Sequence, residues 1–524
     1  MMKNSECPKK PRPSSWTGLL LVMLGLPCAA IGGPAESPPP GTVWRMPAEA
    51  TLSGGEVREY EEGLIFVPAN RSNPEGPSIG VRFMRFESTA DEPGPPIFYL
   101  PGGPGSTVDP DDLDKPRISQ TIELYTRAGD LVMLDQRGNA NARFNPDLRV
   151  EVAPMPLDSP SDLEQRRGAL RQGVRDALER WRGRDLALPT YDIAHVVADL
   201  DAARAALGYE RIILRGNSFG SQWSFAYLRE HPDRVARAVL GGVEPIDFGY
   251  DRPSHVWQAM QRIAELAARD PDLADHVSQT PLDEMIRVVL DRLERAPVTV
   301  EVPDPRTGER VEIVLGAHDL RASLMRFASD YYMRSGLKRW PKFIIEIYNG
   351  DYRYLGLLRL QARRSQSMPL VFLTIDNSIG VSKSRWKAIQ SDPAREILGP
   401  INAVYEWTRD LMPVEVMPPG FRQDFEIRPP VLMIQGDLDM NTPIENARHV
   451  EPFMQTGHLL HVKGGTHLAI YEAMQYVPEV RRELLGFLRS GEFGEMPAVI
   501  ELEVPDFELP GSGKSLFEAA LDRD

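Results

Sequence analysis

The 524-residue sequence predicts an α/β fold in which a mostly parallel sheet carries helices on both faces and is interrupted by a large, mainly helical insertion. Three observations predict it. Short apolar runs bounded by Gly, Pro or Asp alternate with amphipathic segments in residues 56–245. Helical patterning then dominates residues 246–425. Strand-like sequence resumes in residues 426–490, so the insertion divides one sheet.

The first half of the sheet begins with four short β-like runs: Gly63–Pro68, Gly80–Glu87, Pro96–Leu100 and Leu131–Leu134. From residue 161, apolar side chains recur at three- and four-residue spacing, which predicts a helix, and a second helix is expected from Asp192 to Leu207. Three segments complete this half: strand Arg211–Arg215, helix Ser221–Arg229 and strand Ala238–Val243.

The insertion is predicted to contain amphipathic helices and one hairpin. The helices are expected at His255–Ala268, Leu282–Arg295, Asp319–Met333 and Pro341–Tyr348. The hairpin pairs Val298–Val302 with Arg310–Leu315. The sheet then resumes with strands Pro430–Gln435 and His458–Lys463 and a helix near Val480–Leu488. Residues 491–524 show little periodicity and are expected to form an acidic tail.

Composition excludes several classes of function. The formal charge of −15, from 60 basic and 75 acidic side chains, opposes binding to nucleic acid. The hydrophobic share of 42% is that of a folded globular protein. No His-Glu-x-x-His motif or other metal-ligand spacing occurs in the sequence, so neither a metal nor another cofactor is expected.

The N-terminal residues have the pattern of an export signal. Basic residues between Lys3 and Arg12 precede the apolar run Leu19–Leu26, and small residues follow it, which is the order of a secretory signal peptide. The run is too short to span a membrane. We therefore expect residues 1–33 to be the signal, residues 34–55 to be a flexible linker, and the protein to be exported, to the periplasm or outside the cell.

Both cysteines of the chain, Cys7 and Cys28, lie inside this signal. Cleavage near Ala30 leaves a mature chain without thiols, so disulfides and thiol catalysis are not expected. The alternative is that Cys28 becomes the lipidated first residue of a lipoprotein.

The pentapeptide Gly216–Gly220 reads Gly-Asn-Ser-Phe-Gly and stands between a predicted strand and a predicted helix. This is the context of a nucleophile elbow, in which a sharp turn exposes the serine hydroxyl and leaves no room for side chains at the flanking positions. Ser218 is therefore the predicted nucleophile.

A serine nucleophile needs a base and an acid that orients the base. Strand Pro430–Gln435 is followed by Asp437 and Asp439, and the next strand is followed by His467. We assign His467 as the base. We favour Asp439 over Asp437 as the acid, because Asp439 lies farther beyond the end of the strand. His458 and His461 lie at or within the strand and are interpreted as structural.

The glycine-rich stretch Pro101–Gly105 directly follows strand Pro96–Leu100. Glycines there let backbone N–H groups approach a substrate oxygen, so Gly103, or Gly102 in its place, is a predicted oxyanion donor. The second predicted donor is the N–H of Phe219, the residue after the nucleophile.

Together these motifs resemble the proline iminopeptidase and tripeptidyl aminopeptidase group of α/β-hydrolases. The resemblance rests on five stretches: Pro101–Gly105, Leu134–Gly138, Tyr191–Val243, Gly436–Pro443 and Gly465–His467. It implies an α/β-hydrolase fold with a helical lid and a serine exopeptidase acting on free peptide N-termini. Two features depart from the group's usual pattern: Pro101 replaces a histidine, which fits the tripeptidyl branch better, and the lid has no cysteines.

Recognition of a free N-terminus requires an acid near the nucleophile. Glu244, which follows strand Ala238–Val243, and Asp376, in the insertion, are the candidates for holding the substrate ammonium. Asp135 and Arg137 are expected to brace loops. The sequence thus predicts an exported serine aminopeptidase. The alternative is a carboxylesterase or lipase-like hydrolase with the same triad, and a non-catalytic binding protein is the less favoured third reading.

Overall fold

The structure is a computed structural model that describes residues 37–521 except 139–147, 183–186, 326–333, 365, 504–505 and 512. The predicted signal peptide, with Cys7 and Cys28, lies outside the described residues. Among the helices that are described, none combines the length and the apolar character needed to cross a membrane.

A ten-stranded sheet organises the chain, in the order β1-β2-β3-β5-β4-β7-β8-β12-β13-β14. The first three strands and β5 pair antiparallel, and the remaining pairs are parallel. Two small two-stranded sheets pair β9 with β10 and β6 with β11. The strands are β1 (Val43–Thr51), β2 (Val57–Pro68), β3 (Ser78–Phe86), β4 (Ile97–Leu100), β5 (Leu131–Leu134), β6 (Arg149–Val152), β7 (Ile212–Asn217), β8 (Val235–Gly241), β9 (Val298–Pro303), β10 (Arg310–Leu315), β11 (Gln366–Pro369), β12 (Val431–Gly436), β13 (Gly457–Lys463) and β14 (Val499–Glu501).

The helices cover both faces of the sheet and fill the insertion between β8 and β12. They are α1 (Pro116–Tyr125), α2 (Leu163–Arg182), α3 (Ile193–Ala206), α4 (Phe219–Glu230), α5 (Pro253–Arg269), α6 (Ala274–Val277), α7 (Leu282–Arg295), α8 (Ala317–Leu324), α9 (Arg334–Leu337), α10 (Trp340–Tyr348), α11 (Arg353–Arg363), α12 (Leu370–Ile379), α13 (Lys383–Gln390), α14 (Arg395–Leu398), α15 (Ala403–Glu406), α16 (Ile444–Val450), α17 (Ala469–Tyr476), α18 (Pro478–Ser490) and α19 (Leu516–Leu521).

Alternating residues of the central strands enter two different cores. On one face, Phe98 and Leu214 pack with apolar residues of α3 and α4. On the other, Ile97 and Ile213 pack with α1, α17 and α18. Strands buried on both faces explain the nearly continuous apolar runs seen in the sequence. The predicted fold class, a mostly parallel sheet with helices on both faces, is confirmed.

The inserted helices form a third core of their own. Apolar faces of α5, α7, α8 and α10 meet there, and the hairpin of β9 and β10 contributes Val302 and Ile313. This hairpin is the one predicted from the sequence. We call the segment between β8 and β12 the lid.

The structure differs from the predicted organisation at both ends of the folded region. The expected linker contains β1, which pairs along its length with β2; Pro47 is tolerated because β1 lies at the edge of the sheet. The expected acidic tail contains β14, which extends the sheet, and its Phe507 and Phe517 enter the core of the lid. The described parts of both segments therefore contribute to the fold.

One lid helix also differs from its prediction. The helix expected at Asp319–Met333 begins at Ala317 and ends at Leu324. Asp319 accepts a hydrogen bond from the backbone N–H of Gly316 at 2.9 Å, and this contact fixes the start of the helix. Residues 326–333 of the predicted helix lie outside the described residues.

Candidate active site

Ser218 lies in a sharp turn between β7 and α4. Its φ of 59° makes it the one non-glycine residue with a positive φ in the described part of the chain. The two flanking glycines have no room for side chains: a Cβ on Gly216 would lie 2.2 Å from the carbonyl oxygen of Gly220, and one on Gly220 would lie 2.1 Å from that of Leu100. The turn thus has the strained geometry of a nucleophile elbow.

His467 follows β13 and contacts Asp439, which follows β12. The distance from His467 Nδ1 to Asp439 Oδ2 is 2.9 Å, and the two residues are 7% and 1% exposed. Asp439 also accepts hydrogen bonds from the backbone and hydroxyl groups of Thr442 and from the amide of Gln435. Burial alone would raise the pKa of Asp439, but His467 and Thr442 hold it below its ordinary value.

The rival acid and the rival bases lie elsewhere. Asp437 accepts a hydrogen bond from the N–H of Gly464 at 2.8 Å and lies 3.3 Å from the Nε2 of His461. His458 lies within hydrogen-bond distance, 2.8 Å, of the carbonyl oxygen of Pro497. The structure therefore pairs His467 with Asp439 and gives Asp437 a different histidine.

Gly242 lies between the serine and the histidine. A Cβ at this position would lie 2.9 Å from both the backbone nitrogen of Ser218 and the Cε1 of His467. Ser218 and His467 also line one cavity of about 990 Å³. Three segments that are distant in the sequence, the ends of β7, β12 and β13, thus bring Ser218, Asp439 and His467 together.

The glycine-rich loop after β4 lies against the serine. A Cβ on Gly102 would lie 3.3 Å from the Cβ of Ser218, a tight contact that would push the loop and the serine slightly apart. Two hydrogen bonds from the side chain of Gln136 fix this loop. Its amide oxygen accepts from the N–H of Gly105 at 2.9 Å, and its amide nitrogen donates to the carbonyl of Gly102 at 3.3 Å. Gly103 has a φ of 111°, which an L side chain rarely adopts.

Phe219 is the first residue of α4 and is 1% exposed. The first N–H groups of a helix have no acceptor within the helix, so the N–H of Phe219 is available to a ligand at Ser218. The glycine-rich loop follows β4 and Phe219 follows β7, and these two strands are neighbours in the sheet.

Asp135 and Arg137 contact loops rather than the cavity. Arg82 binds Asp135 through its Nε at 2.8 Å, and the hydroxyl of Thr107 donates to the same carboxylate at 2.6 Å. Arg137 binds both carboxylate oxygens of Asp199 at 2.7 Å. Both residues are buried, and they connect the segments around the glycine-rich loop and α3.

Glu244 and Asp376 line the same cavity as Ser218. Burial, reinforced by the charge of Asp376, raises the pKa of Glu244 to about 8. Burial also raises the pKa of Asp376 to about 8, against the opposing effect of the Tyr405 hydroxyl. The Oδ1 atom of Asp376 is buried without a hydrogen-bond partner among the described residues. Both carboxyls are therefore poorly stabilised in their ionised form.

Sequence reasoning identified Glu244 and Asp376 separately but not the residues around them. Tyr405, on α15, lines the cavity beside Asp376, and Arg385, on α13, lies close enough to Glu244 to lower its pKa. Burial in turn lowers the pKa of Arg385 to about 10. No motif marks either residue, because the packing of the lid alone brings Tyr405 to the cavity and Arg385 near Glu244.

Comparison with known proteins agrees with this geometry. Residues 95–275 match the model of the alpha/beta hydrolase fold, and residues 406–496 match that of a TAP-like protein. The curated relatives include the serine protease Hip1 of Mycobacterium tuberculosis, 31% identical over 35% of this chain and 36% of that protein. They also include the proline iminopeptidase of Xylella fastidiosa, 24% identical over 36% and 41%, and the tripeptidyl aminopeptidase of Streptomyces lividans, 28% identical over 34% and 35%.

The chain thus spans only about a third of the length of the first curated relatives it matches. Among solved structures, an esterase from Thermogutta terrifontis is 15% identical, with a TM-score of 0.33 over 82% of this chain and 99% of that one. The resemblance inferred from the sequence is confirmed: the chain has an α/β-hydrolase fold with a TAP-like segment, and about a third of it is similar to a serine protease and to aminopeptidases.

Proposed function

We propose that this serine peptidase-like α/β hydrolase is an aminopeptidase that releases residues from the free N-termini of peptides through an acyl-enzyme. The observation that carries the proposal is the pair of acids, Glu244 and Asp376, in the cavity of Ser218. The relatives named as aminopeptidases support the same class of reaction.

In the proposed reaction, the Ser218 hydroxyl attacks the scissile carbonyl while His467 takes its proton. The tetrahedral oxyanion is held by the N–H groups of Phe219 and Gly103, with Gly102 as the alternative to Gly103. His467 then protonates the leaving amine, which departs and leaves the acyl-enzyme. Water next attacks the acyl carbonyl while His467 takes its proton, and His467 returns this proton to Ser218 as the acid product leaves. Asp439 keeps Nδ1 of the imidazole protonated and stabilises its cationic form, as the 2.9 Å contact supports.

The acids select substrates with a free amine. Before substrate binds, the raised pKa values of Glu244 and Asp376 keep these carboxyls partly protonated near neutral pH. A substrate ammonium supplies the missing positive charge and favours the ionised form of both carboxyls. The ammonium then binds beside Ser218, and the scissile bond lies within reach of the nucleophile. An esterase with the same triad gains nothing from such a pair.

The experiment that tests this proposal is a substrate panel. Chromogenic anilides carrying one, two or three residues with a free N-terminus are compared with simple acyl esters on the purified protein. We expect one of the anilides to be the best substrate, and its length gives the number of residues released per turnover. Esters hydrolysed far faster than every anilide would favour the carboxylesterase.

We also propose that the protein is exported. The support is the basic, apolar and small-residue order within residues 1–33. Cell fractionation and sequencing of the mature N-terminus test it. A mature chain that begins near residue 31 supports cleavage, a lipid-modified Cys28 supports the lipoprotein form, and an uncleaved chain in the cytosol contradicts export.

A further inference from the structure

Arg215 is a buried cation on β7, three residues before Ser218. The residue is 6% exposed. Its Nε donates a hydrogen bond to the Tyr125 hydroxyl at 2.9 Å, and its Nη1 donates to the carbonyl of Gly216 at 3.0 Å. No carboxylate forms an ion pair with it in the described part of the chain. A buried charge without a counter-ion is unfavourable, so an anionic ligand would stabilise this side chain.

The surroundings of Arg215 are aromatic and neutral. Its guanidinium lies 5.6 Å from the centre of the Tyr99 ring and 6.0 Å from that of Tyr125. Burial raises the pKa of Tyr125, so this hydroxyl stays neutral and supplies no counter-charge. Cation–π contacts stabilise the guanidinium only in part.

Arg215 lines the same cavity as Ser218, together with Tyr99, Arg117 and Tyr471. We call these four residues the basic wall. Arg117 adds a second cation at the start of α1, and its Nη1 lies 3.5 Å from the Tyr99 hydroxyl. Among the described residues that line the cavity, the only acids are Glu244, Asp251 and Asp376.

Tyr99 of the basic wall and two of the acids flank the strand that carries Arg215 and leads to Ser218. In the sheet, β7 lies between β4 and β8. Tyr99 of the basic wall is on β4, whereas Glu244 and Asp251 follow β8. A peptide whose ammonium binds Glu244 and whose scissile carbonyl lies at Ser218 therefore directs its remaining residues toward the β4 side of β7, where the Arg215 guanidinium lies 5.6 Å from the centre of the Tyr99 ring.

We propose that the basic wall binds a carboxylate of the leaving peptide, with Arg215 as the principal ligand, and that the protein therefore prefers short peptides with a free C-terminus. This inference rests on the proposed aminopeptidase function. Three residues of strand separate Arg215 from Ser218 and span about 10 Å. That distance matches roughly two or three extended residues, so the C-terminal carboxylate of a short leaving peptide reaches Arg215. The planar guanidinium suits a carboxylate.

The test compares free peptide acids with their C-terminal amides. Alanine peptides of two to six residues are assayed in both forms with the wild-type protein. We expect the best-cleaved acid to exceed its amide in kcat/KM by about tenfold or more, and this ratio to fall toward one in Arg215→Met. The matched control is Arg237→Met. Arg237 is a similarly buried arginine on β8 that lies outside the cavity, so its loss should leave the ratio of acid to amide at the wild-type value.

Arg117→Gln provides a second variant, since Arg117 is only partly buried and its replacement by a polar side chain is expected to leave the fold intact. It should lower the ratio of acid to amide, so the proposal stays testable if Arg215→Met does not fold. An additional amide substrate carries Asp in the leaving peptide. If Asp restores the rate, the carboxylate bound is a side chain; if it does not, the carboxylate is the C-terminus.

Failure of the two proposals can be told apart. If the wild type cleaves neither free peptides nor aminoacyl anilides, the proposed function is wrong. If it cleaves anilides but shows equal kcat/KM for peptide acids and amides, the carboxylate site alone is wrong. A ratio that survives intact in both Arg215→Met and Arg117→Gln would also overturn the carboxylate site.

Discussion

His467 Nδ1 lies 2.9 Å from Asp439 Oδ2, while Asp437, two residues earlier, lies 3.3 Å from the Nε2 of His461. The two carboxylates of this loop thus contact two different histidines. The hydrogen bonds that Thr442 donates to Asp439 lower its pKa and keep it ionised beside His467. This arrangement makes the two acids distinguishable by experiment.

Asp439→Asn should lower kcat by about 10²–10⁴ with little change in KM, because the imidazole loses the carboxylate that fixes its tautomer. Asp437→Asn is the matched control, since it removes an equal charge from the same loop and should have a milder effect. Steady-state kinetics on the best anilide measures both. A larger loss in Asp437→Asn would exchange the roles of the two residues.

Ser218→Gly should abolish activity and stabilise the fold. Removing the nucleophile of a catalytic triad lowers kcat by about 10⁴–10⁶. Glycine adopts a φ of 59° without strain, so the free energy of unfolding should rise by about 1 kcal/mol. Urea unfolding measures the second effect, and Ser218→Ala, which keeps the strain, is the control. A fluorophosphonate probe should label the wild type at Ser218 and neither variant.

Gln136→Leu should lower kcat without changing the fold. The substitution keeps most of the volume but removes both hydrogen bonds to the glycine-rich loop, so the proposed oxyanion donor loses its fixed position. We expect kcat to fall by about 10–100-fold with a smaller change in KM. Because Gln136 acts through the loop, a change in KM alone would indicate a role in substrate binding instead.

Asp376 should make the protein less stable as pH rises. Its pKa is about 8 in the folded state and lies near its ordinary value in the unfolded chain. Between those two values the folded state holds a proton that the unfolded chain has lost, so the free energy of unfolding falls with increasing pH. Asp376→Asn removes this effect and should gain about 2 kcal/mol or more over the wild type between pH 5 and pH 9. If the free energies of unfolding of the wild type and of Asp376→Asn changed with pH in parallel, the prediction would be wrong.

Much of the fold could be predicted from the sequence because the central strands are buried on both faces. Runs such as Ile212–Leu214 are apolar throughout and are bounded by charged residues, and the observed strand ends differ from the predicted ones by one or two residues. The edges were harder to predict. Strand β1 exposes much of its length and contains Pro47, which is typical of both an edge strand and a linker.

The site shows the same division. The positions of Ser218 and His467 were predictable because each residue follows a recognisable strand. Each also lies beside glycines at positions where a side chain would not fit. The neighbours of Glu244 were not predictable, since Tyr405 and Arg385 reach it from lid helices whose packing no local pattern specifies. Arg215 appeared in the sequence as an ordinary strand residue, and only the fold places it in the cavity of Ser218.

The most direct test of the aminopeptidase is the ratio of kcat/KM for a peptide anilide with a free N-terminus to that for its N-acetyl form. Acetylation deletes the ammonium that we propose binds Glu244 and Asp376, which should lower kcat/KM by about 30-fold or more. Glu244→Gln should shrink this ratio. Asp410→Asn, which removes an exposed lid acid paired with Arg171, should leave it unchanged. Equal rates on the free and acetylated substrates would contradict the account.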